Sequence, residues 1–169
     1  DGRITQPQYD FCVAAGEPSG RDATGGGQHW ASSALYTCRL DADGSEIHIV
    51  SSIELPSTPP GYMTLARTRA GEHMLYAIGG DQISWFSIGD ENELAPRGSA
   101  STGSDSASHL CTDGTARVLF TANYGSGAVS MLPIAADGAL GEATTYSHGP
   151  GAHEGAEGRW GDGPQFRQE

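Results

Sequence analysis

Two stretches of the chain repeat each other. GYMTLARTRAGEHMLYAIGGDQISWFSIGDENELAP can be set above ASHLCTDGTARVLFTANYGSGAVSMLPIAADGALGE. Tyr76 then falls on Phe120, Ile83 on Val129, Ile88 on Ile134 and Leu94 on Leu140. The offset drifts from 44 to 46, which a short insertion in NYGSG absorbs. A third, partial copy aligns LYTCRLDADGS with VSMLPIAADGA, placing Asp43 on Asp137 and Gly44 on Gly138. Each unit reads as about four short strands, rich in β-branched and aromatic residues and separated by turns such as DADG, RAGE and TDGT. No segment holds a helical period over 11 or more residues. The expectation is an all-β chain of four-stranded antiparallel units, and a period in the forties is the signature of propeller blades.

The 169 residues have room for about three such units. Propellers have about four to eight, and a three-blade arc would leave open sheet edges and an exposed core. The chain is therefore expected to be part of a larger propeller, completed by a C-terminal remainder or a second chain. Residues 1–148 would hold the blades, interrupted by a long Gly-rich insertion at 16–33 that reads as a loop. Residues 149–169 would form an active-face loop. The turn from Ala122 to Ala128 joins the second and third strands of its blade, with Gly125 and Gly127 supplying positive φ.

Charge narrows the partners. The net charge is −12, and all nine basic residues are Arg. No basic footprint for nucleic acid exists, and no apolar run reaches the roughly 20 residues of a membrane helix. Scattered arginines suit an acidic small molecule, because a guanidinium binds a carboxylate bidentately. The start DGRITQPQ, without Met, suggests processing and slightly favours a secreted location. The three cysteines fit no zinc motif. A hairpin centred on Gly25 would set Cys12 opposite Cys38, within disulfide reach, the alternative being reduced buried thiols. Gly25–Gly27 lack the Lys-Ser/Thr of a phosphate loop. His148, His153 and Glu154 match no standard metal spacing, so neither metal nor cofactor is expected.

From His109 to Glu142 the chain resembles the lactonase-type seven-bladed propellers, which include 6-phosphogluconolactonases and carboxy-muconate lactonizing enzymes. The resemblance rests on His109-Leu110, Asp113-Gly114, Ala122 to Gly127, Val129-Ser130, Leu132-Pro133-Ile134, Asp137-Gly138 and Leu140-Gly141-Glu142. It extends more loosely over residues 9–148. In that pattern a loop ending in Arg-Gln precedes a Pro-His-x-His segment; Arg167-Gln168-Glu169 match the first part. The resemblance implies lactone hydrolysis or muconate-type cycloisomerization. Cleavage of uronate glycans by β-elimination and a non-catalytic binding propeller stand as alternatives.

His109 begins the innermost strand of its blade on this reading, near the central channel. An imidazole there can move a proton in any of these reactions; a structural role between blades is the alternative. Arg167 could clamp a substrate carboxylate, with Glu169 accepting a proton or orienting a histidine. Asn123, Tyr124, Gln168 and His29 are candidate substrate contacts, against capping and packing roles for the first two.

Overall fold

The computed structural model describes residues 9–21, 28–41, 43–55 and 60–147, with side chains from Ser33 onward. Among these there are eleven strands and no helix. The first sheet holds β1 (Tyr9–Arg21), β2 (Gln28–Leu40) and β3 (Ile47–Glu54), in that order. The second runs β4 (Tyr62–Arg67), β5 (His73–Gly79), β6 (Gln82–Ile88), β7 (Leu94–Ser101). The third runs β8 (Ala107–Thr112), β9 (Val118–Asn123), β10 (Ala128–Pro133), β11 (Thr144–Ser147). Every pairing is antiparallel between sequence neighbours, the meander of propeller blades.

The burial pattern follows from stacking. Strand β5 is apolar residue after residue because both of its faces are covered. Met74, Tyr76 and Ile78 pack with Ile83 and Trp85 against Leu110, Leu119, Leu132 and Ile134 of the third sheet. Leu75 and Ala77 pack with Phe86 and Leu94 against Leu35 of the first. Strand β10 instead alternates buried and exposed, since only one face of the third sheet is covered. Each large apolar side chain removed from water stabilises the stack by about 1.5–3 kcal/mol.

The sequence repeat is a register repeat. Tyr76 pairs with Trp85 as Phe120 pairs with Met131; Ile78 pairs with Ile83 as Ala122 pairs with Val129. Ile88 pairs with Leu94 as Ile134 bridges Leu140. The growth in offset lies where expected. The β5–β6 turn is Gly80-Asp81, whereas the β9–β10 turn is Tyr124 to Gly127. In the third copy, Asp43 Oδ1 accepts from Ser45 N at 3.0 Å and Asp137 Oδ1 from Ala139 N at 3.1 Å. Gly44 and Gly138 both take positive φ, +75° and +90°. Asn92 holds the same turn position in the second sheet, at φ 64°.

By this equivalence β1, β2 and β3 are the second, third and fourth strands of a blade. The innermost position of the first sheet is unfilled among the described residues.

Two expectations are corrected. The segment 16–33 is not simply a loop, because β1 continues to Arg21 and β2 starts at Gln28. Strand β3 pairs no further up β2 than Ala34, and Leu55 N donates to Ser33 O, so Glu17–Arg21 and Gln28–Ser32 extend beyond the sheet as a two-stranded ribbon. The register also sets Cys12 opposite Thr37 and Phe11 opposite Cys38, one step from the expected pairing. Neighbouring positions on a strand belong to opposite faces, so Cys12 and Cys38 do not form a cross-strand pair. Cys38 is a free, buried thiol.

Candidate functional site

Strands β4 and β8, the first of their sheets, lie side by side. Their starts share one end of the stack with the β5–β6 and β9–β10 turns. Ala107 N donates to Gly80 O at 3.1 Å, Thr102 N to Asp81 O at 2.8 Å, and Tyr124 N to Ser106 O at 3.0 Å. The β1–β2 ribbon leaves the first sheet at this same end, since it extends the equivalent second-to-third strand connection.

His109 stands on this rim, exposed. The β8–β9 ladder slips by one residue, so that Ser108 is extra between Ala107, opposite Asn123, and His109, opposite Ala122. Such a bulge re-aims the side chains beside it. The His109 imidazole stacks on Tyr62 of β4, ring centroids 4.0 Å apart and planes at 40°. Tyr62 is 40% exposed. Among the described residues neither imidazole nitrogen is engaged by a hydrogen bond. The exposed carboxylates Asp81 and Asp105 lie in the neighbouring turns.

Tyr124 is exposed on the same rim. Asn123 is not: it is 2% exposed, and its amide engages the interior of the sheet. Its Oδ1 accepts from Thr121 Oγ1 at 3.0 Å and its Nδ2 donates to Ser130 Oγ at 2.8 Å. Ser130 Oγ lies 3.0 Å from Thr145 Oγ1, so the network ties β9, β10 and β11. The geometry gives Asn123 a structural part in place of the expected substrate contact. Gly127 takes φ +61°, whereas Gly125 is needed for space: a Cβ there would lie 2.7 Å from Ser106 Cβ. His29 lies on the ribbon, opposite Gly20. Arg167, Gln168, Glu169 and the 149–169 loop lie outside the described residues.

The sequence reading missed Tyr62, although the repeat marks it. Tyr62 is opposite Ile78 and His109 opposite Ala122, and Ile78 and Ala122 are equivalent positions. The two rings thus occupy the same slot in consecutive inner strands.

At the opposite end, Asp41, Glu46 and His48 bring potential ligand atoms within 4.8 Å of one another. His48 Nε2 is 2.8 Å from Asp41 Oδ1, in a solvated surface cluster. Asp113, in the β8–β9 turn, accepts from the Thr115 hydroxyl and from the amides of Val118 and Arg117 at 2.9 and 2.7 Å. These bonds hold its carboxyl well below the usual carboxylate range.

Comparison with known proteins accords with this geometry. Residues 23–159 match the family model described as lactonase, 7-bladed beta-propeller. The 6-phosphogluconolactonase of Pectobacterium atrosepticum is 30% identical over 112 residues, 66% of this chain and 32% of that protein. Its counterpart in Pectobacterium carotovorum is 29% identical over the same length. The chain thus spans about a third of the length of these curated relatives. A Bacteroides fragilis crystal structure, provisionally assigned as a 6-phosphogluconolactonase, superposes with a TM-score of 0.65 at 23% identity. That superposition covers 87% of this chain and 38% of that one. The periplasmic gluconolactonase of Pseudomonas aeruginosa superposes with a TM-score of 0.56 at 12% identity, covering 85% and 40%. These two likenesses speak for the fold. With a family match over most of its length, stacked antiparallel blades and a repeat kept in register, the chain belongs to the seven-bladed β-propeller lactonase family.

Proposed function

We propose that the full-length protein hydrolyses the lactone of an acidic sugar, with 6-phosphogluconolactone as the first substrate to test. The observation that carries this reading is His109: an exposed imidazole beside a bulge on an inner strand, with neither ring nitrogen hydrogen-bonded among the described residues. The name shared by the two curated relatives favours hydrolysis over cycloisomerization or β-elimination.

In this reading His109 takes a proton from water as the water oxygen attacks the lactone carbonyl carbon. A tetrahedral oxyanion forms, and the bond from the carbonyl carbon to the ring oxygen breaks. The proton passes from His109 to that oxygen, releasing a free hydroxyl and a carboxylic acid that ionises. Arg167 would hold the anionic group of the substrate, with Gln168 and Glu169 beside it. Tyr124, exposed on the rim, would contact the sugar.

The test is lactone consumption by the full-length protein, measured above the spontaneous rate. His109→Ala is expected to lower kcat about 10²–10⁴-fold. A wild-type protein no faster than buffer on any sugar lactone would refute the reading, and so would a His109→Ala variant with wild-type kcat.

A further inference from the structure

We propose that Tyr62 is a positioning residue for His109, holding the imidazole at the working angle from the neighbouring blade. The proposal rests on the lactonase reading above, and its test separates the two.

Three observations carry it. Tyr62 and His109 fill the same slot in consecutive inner strands, so the repeat itself sets them at one height on the channel edge. The bulge at Ser108 frees His109 from strict strand alternation, which leaves its direction to be fixed by something else. That something is the Tyr62 ring, at a centroid distance of 4.0 Å and a tilt of 40°. The contact leaves the imidazole exposed, and among the described residues neither of its nitrogens is engaged by a hydrogen bond. The aromatic face is electron-rich and suits the imidazolium that forms when His109 takes a proton. Tyr62 is itself seated by the backbone, because Gly61 N donates to Ile78 O at 2.8 Å. The pair crosses the boundary between the second and third sheets, so the angle of the imidazole depends on how those blades are seated.

The experiment compares wild type, Tyr62→Ala, Tyr62→Leu, Tyr62→Phe and His109→Ala in the full-length protein. Misplacing a catalytic group by about 1 Å can cost 10²-fold. Tyr62→Ala and Tyr62→Leu are expected to lower kcat about tenfold or more with KM within about twofold, while Tyr62→Phe stays near wild type. Leu keeps the bulk at this half-exposed position, so it serves if the Ala variant does not fold. A readout independent of activity is carbethoxylation of His109 by diethyl pyrocarbonate, followed by peptide mass spectrometry. It should speed up in the Ala and Leu variants and not in Phe. Wild-type kcat in Tyr62→Leu, with His109→Ala inactive, overturns the positioning role and leaves the lactonase reading standing. Equal losses in Phe and Leu assign the effect to the hydroxyl and also overturn it. If the wild type hydrolyses no lactone, the lactonase reading fails by itself, and unchanged His109 reactivity in the Leu variant would then dismiss the stacking role as well.

Discussion

Tyr76 offers a quantitative test of how the blades are held together. Its ring is fully buried, and its hydroxyl donates to Gly138 O of the third sheet at 2.8 Å. Burial, with the Asp137 carboxylate as a second cause, pushes the phenol up to about 12. Phe120 holds the equivalent position one sheet on, so Tyr76→Phe is a substitution the fold already tolerates. At pH 8 it removes one hydrogen bond and leaves the Gly138 carbonyl unpaired, a loss of about 1–2 kcal/mol. The sign of the pH dependence follows from the raised value. The folded state keeps its proton longer than the unfolded state, whose phenol titrates near 10. The extra stability is therefore fully present below pH 10 and fades as pH rises towards 12. Linkage places the loss at about 1.4 kcal/mol by pH 11. Urea unfolding of the full-length protein, wild type against Tyr76→Phe, at pH 8 and pH 11 reads this directly. The gap between the two should shrink by about that amount and can change sign. An equal gap at both pH values would refute the claim that the phenol is held neutral between the blades.

Two further outcomes follow from turn geometry. Gly138→Ala should destabilise by at least about 1–2 kcal/mol in thermal melts, from left-handed backbone alone; at φ +90° the new Cβ would also lie 2.9 Å from Met74 Cγ. Asp113→Ala should lower the melting temperature at neutral pH. The Asp113 carboxyl is depressed in the folded state, so its contribution is present above the unfolded value of about 3.9 and is lost as pH falls through the lower folded value; the gap to wild type should close in acid.

The blade ladder was legible because strand pairing repeats a pattern of side-chain faces. Tyr76 over Phe120 and Ile83 over Val129 are matches of chemistry at positions that look towards the next blade, and the sheets keep those partners. Register in the first hairpin was not legible to one residue. A Gly-rich connection carries no apolar alternation to fix its centre, so Cys12 and Cys38 looked opposed when they are a step apart. The ribbon was read as a loop for the same reason: Pro and Gly signal a break, yet the paired backbone continues through two irregularities at Glu17–Gly20. For Asn123 the sequence left a structural role and a substrate contact both open, because a polar residue beside a Gly-rich turn suits either, and sequence does not say which face carries the hydroxyls of Thr121 and Ser130.

The contact between His109 and Tyr62 belongs to no single repeat, and that explains why His109 stood out in the sequence and Tyr62 did not. Within one blade, Tyr62 looks like an ordinary aromatic residue at a strand start. Its meaning appears only when two blades are placed side by side and the same slot is read across them. The slot is repeated by the fold, but its occupant is free to differ, because this position is exposed in both strands, whereas the next residue of β8, Leu110, is buried in the inter-blade core. Met74, Tyr76 and Ile78 are confined by the apolar packing of the third sheet; Tyr62 and His109 are not confined in this way. A propeller can therefore hold its core pattern constant while changing the chemistry of its channel edge one blade at a time. In this chain two consecutive slots hold rings in contact; in the proposal above, one would move a proton and the other hold it in place. The chemistry is accordingly expected to depend on the seating of the second and third blades against each other, the same boundary that Tyr76 and Gly138 secure.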